Sequence, residues 1–473
     1  MRLIITVIIA LCTSTPTLAD FRAGAATADI TPKMGVLLDG AISKPGPVKG
    51  VHDPLHARAI AMTDGTTTIA IVINDSCMIE QAVYDKAKII VNKQIGLKTS
   101  RMLMAATHSH ATPRAMHIGR GKLDDEYHEF LSTQIARAVI EAHSRLAPAI
   151  VAHGTFDMPK LIACRRFFCQ AGSVAPNPFG DANERVKSVS GFSNKIIRPA
   201  GPVDPQFSVL SIRHADGSPL AVLGNFSVHY CGGYARGMVS ADYFGVYATR
   251  LEEKLDSGKG DKPFVGIMSN GTSGDTGSIQ LTAKTKQPAW ERMRASGRML
   301  ADETIKLIAQ LKHEAPASLV MVEKEIELGV RKPDAARLAW AKKVKSGKSP
   351  ARLPHRWSRI YAHEAIELSS YPDRYRIKLQ ALRIGDIAVA AAPCEVFAET
   401  GLAIKANSPF SKTFTIELAN GYSGYLPTPG QHMWGGYETW PARTSHLEVQ
   451  AEPQIRSTLL ELLKTIAPDQ NNK

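Results

Sequence analysis

Apolar positions in this chain fall into runs that stop abruptly at polar residues. Thr68-Ile-Ala-Ile-Val-Ile-Asn74 is a continuous apolar run that ends at Asp75. A run without alternation predicts a strand covered on both faces, as at the centre of an α/β sheet. Met102-Leu-Met-Ala-Ala106 breaks into Thr107-His-Ser-His110. Leu220 to Ser227 leads straight into His229, and Pro263 to Met268 into the Gly-rich stretch Ser269 to Ser278. Ile387 to Ala392 leads to Glu395, and Thr413 to Leu418 to Asn420-Gly-Tyr-Ser-Gly-Tyr425. Residues two apart on an extended chain share a face, so His108 and His110 are expected to point the same way.

Helical spacing of apolar residues predicts helices over Ile79–Gly96, Tyr127–Leu146, Pro288–Leu311, Phe397–Ala406 and around Ile455–Ile466. Further strands are expected at Pro54–Ala61, Ile150–Phe156, Pro205–Arg213 and Ser318–Leu328. A hairpin turns at Gly385-Asp386. The stretch from Phe168 to Pro202 reads as a long loop, a common place for function. Strand and helix alternate without repeat or linker, which predicts one α/β unit over 20–467, a mixed β-sheet core flanked by helices. A polar tail follows at 468–473.

The first residues change the compartment. One Arg, about ten apolar residues and Thr17-Leu-Ala19 have the parts of a secretory leader, expected to be cleaved after Ala19. Its apolar stretch is too short to span a bilayer, and the rest of the chain has no transmembrane run. The mature protein is therefore expected to be exported, periplasmic or secreted. Cys12 would leave with the leader; Cys77, Cys164, Cys169, Cys231 and Cys394 remain, an odd count in which Cys164 and Cys169 could pair.

The net charge of +13 is unevenly placed. Between Arg331 and Arg359 stand ten Lys or Arg residues against a single acid, Asp334, with Trp340 and Trp357 among them. Such a segment could meet an anionic surface or an acidic substrate, or be a solvated helix face. No nucleic-acid-binding motif accompanies it.

His108, His229, Glu395 and the Tyr422/Tyr425 pair each stand just past an apolar strand. Strands sharing one sheet would bring them to one edge. Two histidines and a carboxylate make a catalytic zinc shell that leaves room for water and substrate. Asp75 and Asp242 are candidates to orient the imidazoles.

The chain resembles the catalytic domain of the neutral/alkaline non-lysosomal ceramidases. The resemblance lies in Ala28-Asp-Ile-Thr-Pro32, Gly50-Val-His-Asp-Pro54, Thr107-His-Ser-His110, Arg165, Gly201-Pro-Val-Asp-Pro205, His229 with Ser240-Ala-Asp242, Asn270-Gly-Thr-Ser-Gly-Asp275, Glu395 and Asn420 to Tyr425 with Tyr437-Glu438. It implies one catalytic zinc per chain on His108, His229, Glu395 and Tyr425. It implies that His110, Arg165 and Tyr437 line the site around a scissile amide. The substrate expected from it is an N-acylsphingosine or a related N-acyl lipid.

The chain departs from that family at stated positions. Well-known members carry Gly-Asp-x-Ser-Pro-Asn, whereas this chain reads Gly274-Asp-Thr-Gly-Ser-Ile279, so Gly277 takes the Ser position and Ser278 falls one residue late. Cys164 and Ala111 replace an Asn and a Ser. The chain is expected to be a short member without the family's C-terminal β-sandwich. The alternatives are a zinc hydrolase of another amide or ester, or an exported binding protein with a relic site.

Overall fold

The computed structural model describes residues 21–40, 46–118, 124–188, 194–256, 263–278, 288–316, 318–348 and 352–468. The expected leader over 1–19 and nearly all of the polar tail lie outside the described residues.

Two mixed sheets form the centre. The larger runs edge to edge as Val265–Asn270, Pro219–Phe226, Gln206–His214, Ala147–Asp157, Arg22–Asp29, His56–Thr63, Thr68–Asn74 and Met102–Ala106. The outermost pair at each edge is parallel and the inner pairs are antiparallel. The smaller sheet runs Leu319–Gly329, Arg374–Ile384, Ile387–Ala391 and Lys412–Ile416, its last pair parallel.

The apolar run Thr68–Asn74 shows why the layers form. Ile69, Ile71 and Ile73 join Leu382, Val389 and Phe414 in the core between the sheets. Ala70 and Val72 point the other way, beneath the helices Gln81–Ile95 and Asp125–Ser144. Helices Asp242–Leu255 and Glu291–Ile308 cover the far half of that face through Tyr247, Leu251 and Leu300. Helix Ala451–Thr465 covers the smaller sheet through Ile455, Leu459 and Leu463. The order is helix, sheet, sheet, helix. Each buried Ile or Leu contributes roughly 1.5–3 kcal/mol by leaving water, so the two sheets are held firmly face to face.

The carboxyl ends of the parallel strands meet at one end of this sandwich. Glu417 N–H donates to Asn270 O at 3.2 Å, and Asn420 N–H to Met104 O at 2.7 Å. Asn225 Nδ2 reaches Thr415 O at 2.9 Å. The larger sheet's two edge strands also converge here, Asn270 Nδ2 donating to Thr107 O at 3.3 Å.

Several expectations are corrected. The candidate residues stand at the ends of two stacked sheets, not along one sheet edge. The expected loop from Phe168 to Pro202 carries a small sheet of Arg166–Cys169, Val186–Ser188 and Ile196–Pro199. Helix Asp242–Leu255 was not expected; Gly245 and its aromatic and β-branched residues weaken its helical signal. Cys164 and Cys169 are not paired: they lie in different small sheets, and their thiols face the Arg166 and Phe167 carbonyls. No helix among the described residues is long and apolar enough to cross a membrane.

Candidate active site

His108 follows the Met102–Ala106 strand but has left it. Its φ is +74°, a left-handed conformation that costs a β-carbon residue energy. Backbone bonds hold it there: Thr107 N–H donates to Asn74 O at 2.9 Å and His108 N–H to Ser76 O at 2.8 Å. This turn, not strand alternation, is what brings His108 and His110 together, their Nε2 atoms 3.2 Å apart. His108 Nδ1–H donates to Cys77 O at 2.8 Å, which leaves Nε2 as a lone pair.

His229 is set the same way from the other edge of the sheet. Its Nδ1–H donates to Ser273 O at 3.1 Å. Its Nε2 meets His108 Nε2 at 2.9 Å. Burial, then Arg165, His108 and His110 nearby, hold the His229 imidazole well below the usual histidine range.

Glu395 arrives from the smaller sheet, in a short parallel ladder with Tyr425. Tyr422 donates its hydroxyl to Glu395 Oε1 at 2.6 Å. Oε2 stands 3.4 Å from His108 Nε2 and 3.6 Å from His229 Nε2. It is fully buried and has no hydrogen-bond donor. Burial raises this carboxyl, but His108, Tyr422 and Arg165 together hold it below the usual range.

The three residues satisfy a metal's requirements. Two imidazole lone pairs and a carboxylate oxygen converge, and each ligand's other polar atom is fixed by a partner. Ligands about 2.0–2.1 Å from a tetrahedral zinc lie a little over 3 Å from one another, close to the spacing here. A buried carboxylate oxygen left without a donor costs energy that a cation would offset. Cys77 Sγ forms a second such group with His108 and His110.

A wall of hydroxyls and a guanidinium faces this group. Arg165 Nη2 donates to Gly274 O at 2.8 Å and to Tyr425 Oη at 3.1 Å. Tyr425 and Tyr437 share a hydroxyl–hydroxyl bond. Tyr425 bonds to Arg165 and Tyr437, and Tyr422 is the tyrosine that holds Glu395. His110 stacks on Tyr230, ring centroids 3.8 Å apart. Burial, then His108 and Arg165, hold the His110 imidazole well below its usual range, so it is neutral.

Other expected residues serve the frame. Asp75 and Asp242 are corrected as histidine orienters. Asp75 accepts from Arg58 at 2.5 Å and from the His56 N–H at 2.9 Å. Asp242 accepts from the N–H groups of Cys231, Gly232 and Tyr243 and from Tyr234. Backbone carbonyls do the orienting instead. Asn270 ties His229 O to Thr107 O. Asp275 caps the helix Ala398–Asn407 by accepting from Ala398 N–H at 2.8 Å. Gly274 passes so close to Glu395 that a β-carbon would stand 2.8 Å from its carbonyl carbon. Gly277 is locked in a ladder with Ala163, and Ser278 is buried beside it.

Two residues escaped the sequence reading. Tyr230, next to His229, was readable only as a neighbour. Glu417 is fully buried beneath the site, accepting from the Ser273 hydroxyl and from the Ser273 and Val396 N–H groups. Burial pushes its carboxyl well above the usual range.

Stacked mixed sheets between helix layers, with two imidazoles and a carboxylate at the strand ends, define an α/β protein whose donor set suits hydrolytic metal chemistry. The chain belongs to the neutral/alkaline non-lysosomal ceramidase family, whose N-terminal model matches residues 21–366. Neutral ceramidase B of Dictyostelium discoideum is 25% identical over 240 residues, which cover 48% of this chain. That match spans 31% of the relative's own length. The structure of neutral ceramidase from Pseudomonas aeruginosa aligns with 95% of this chain and 77% of its own, at TM-score 0.70 and 18% identity. A ceramidase complexed with C2 aligns with 96% of this chain and 78% of its own, at TM-score 0.70 and 17% identity. These structures share the fold. Glu395, Tyr425 and Tyr437 lie beyond the matched family segment and within the described α/β unit.

Proposed function

We propose that the chain is an exported, zinc-dependent amidohydrolase of ceramidase type that cleaves an N-acyl lipid with water. The observation that carries this is the convergence of the His108 and His229 lone pairs on the donorless Glu395 oxygen. A zinc held by these residues would supply a Lewis acid and a bound water with a pKa of about 7.

The chain's own groups do the rest. The Cys77 and Ser273 carbonyls fix the tautomers that present both Nε2 lone pairs. Tyr437 and Arg165 face the group as donors, placed to bind the oxyanion that develops on an amide carbonyl. One such donor is worth about 3 kcal/mol in the transition state. His110, neutral and partly open to solvent, takes up a proton at Nε2 and passes it to the departing amine.

A second reading, hydrolysis of a different amide or ester, is favoured by position 277. A glycine locked in a ladder offers no hydroxyl where well-known ceramidases have a serine. The deciding experiment measures metal content and hydrolysis of a fluorescent N-acylsphingosine, wild type against His229→Ala. Zinc and cleavage, both lost in the variant, support the ceramidase reading. Zinc without ceramide cleavage leaves the second reading. A wild type that takes up no zinc overturns both.

A further inference from the structure

The most basic segment of the chain ends at the mouth of the site. Helices Ala335–Lys345 and Ser358–Ser369 pack on each other through Ala341, Val344, Ala362 and Ala365. Both tryptophans are half-buried. Trp340 meets Phe179, and Trp357 lies 6.3 Å, centroid to centroid, from both Tyr437 and Trp440. The described residues of 331–359 expose no large apolar side chain. The surface they leave is cationic, with Arg352, Arg356 and Arg359 exposed.

Two cations gather around His355, whose ring packs on Trp357. Arg356 lies over the Trp357 ring, 4.7 Å from its centroid. Lys187 comes from the Val186–Ser188 strand and is exposed. Both stand close enough to His355 to add to burial in holding its imidazole low, and His355 packs on Trp357 and Trp440. The neighbouring acids are already engaged. Glu438 accepts from Arg166 and Ser188 at 2.5 Å each. Glu184 accepts from Trp440 Nε1 at 2.6 Å and Gly436 N–H at 3.0 Å, with Asp181 beside it accepting from Asn183 N–H. Glu364 accepts from Arg443 at 2.7 Å. The path outward from Arg165 runs through Tyr437 and Trp357 to Arg356, which forms no ion pair among the described residues.

We propose that this rim selects substrate by charge: the N-acyl substrate carries an anionic group several bonds from the scissile amide, and Arg356 and Lys187 hold it. This deepens the amidohydrolase reading and rests on it. The guanidinium on an indole face is partly preorganised, so little freedom is lost when it grips an anion. A membrane surface is the poorer occupant. Trp340 and Trp357, the side chains that would enter an interface, are half-buried against Phe179, Tyr437 and Trp440.

The test uses a matched pair of amides, N-dodecanoyl-ε-aminocaproate and its uncharged carboxamide, with the zinc-loaded full-length protein. Two exposed ion pairs predict that the wild type prefers the anionic amide by about tenfold in kcat/KM. Arg356→Gln with Lys187→Gln should erase that preference and leave the carboxamide rate unchanged. Equal rates on both amides, unaltered in the double variant, would overturn the inference and leave the amidohydrolase standing. Cleavage of neither amide, nor of N-acylsphingosine, would remove the N-acyl lipid reading and leave only hydrolysis of another amide or ester. The inference is then decided by calorimetry with the anionic amide: binding lost in the double variant keeps the rim as an anion site, and unchanged or absent binding ends it. Loss of phosphatidylglycerol-vesicle binding in the double variant, with no charge preference among the soluble amides, would reassign the rim to a membrane surface and overturn the proposal.

Discussion

The Nε2 atoms of His108 and His229 face each other at 2.9 Å, although both imidazoles have already donated their Nδ1 protons to backbone carbonyls. Two lone pairs at that distance repel unless a cation or proton lies between them. Burial, with neighbouring cationic groups, disfavours a proton on His229. A divalent metal would resolve the conflict, with the Glu395 oxygen as its third ligand.

Zinc affinity should therefore depend on residues that do not touch the zinc. Tyr422→Phe removes the hydroxyl that holds Glu395 Oε1. The expected cost is about 10–100-fold in zinc affinity, read by competition with a chelating dye. An unchanged affinity would mean that Glu395 needs no support from Tyr422.

Tyr437→Phe should separate binding from chemistry. In the proposed reaction the hydroxyl would bind a charge that exists only in the transition state. Its loss should lower kcat about a hundredfold and leave KM nearly unchanged. Steady-state kinetics on a soluble N-acyl amide would show this; a rise in KM alone would make Tyr437 a ground-state contact.

Asp275 gives the fold a pH dependence of definite sign. Burial pushes its carboxyl from 3.8 up to about 7, against the Ala398 N–H and the two arginines nearby. A carboxyl raised in the folded state contributes stability that is fully present below the unfolded value near 4. That stability is lost as pH rises through 7. Asp275→Asn keeps an acceptor for Ala398 and cannot ionise. The variant should melt higher than wild type at pH 8, with the gap closing as pH falls toward 4. Parallel melting curves at all pH values would show that Asp275 stays neutral or is fully compensated.

Gly274→Ala should couple stability to metal binding. Its β-carbon would press on the Glu395 backbone, 2.8 Å from the carbonyl carbon. Overpacking of this kind costs about 1–3 kcal/mol. Urea unfolding should show that loss, and zinc affinity should fall with it if Glu395 ligates the metal as proposed. Wild-type values in both would indicate that the ladder around Glu395 yields freely.

The layered fold was readable because the apolar runs are long and end cleanly. Thr68–Asn74 and Met102–Ala106 appear as strands at the expected places. The site was readable only as a set of residues standing past strand ends. Its geometry depends on features that leave no mark in a residue pattern. The left-handed turn at His108 is made by carbonyls of a neighbouring strand. Tyr422 and Tyr425 occupy equivalent-looking places in one motif, and only the bend of the chain decides which reaches Glu395. Asp75 reads as a free carboxylate until Arg58, on the adjacent strand, is seen to take it. Glu417 has no motif at all, being an ordinary acid at the end of a strand.

The meeting of both sheet edges beneath Asn270 has a consequence for how the protein is made. No contiguous stretch of the chain carries the site: His108, His229 and Glu395 come from well-separated parts of the sequence, and Glu395 is held by Tyr422, later still. During synthesis the early strands can pair while the binding group is still incomplete. An ion bound by this set would enter it only after the last strands have closed, so its capture would be a late step of maturation rather than a nucleus for folding.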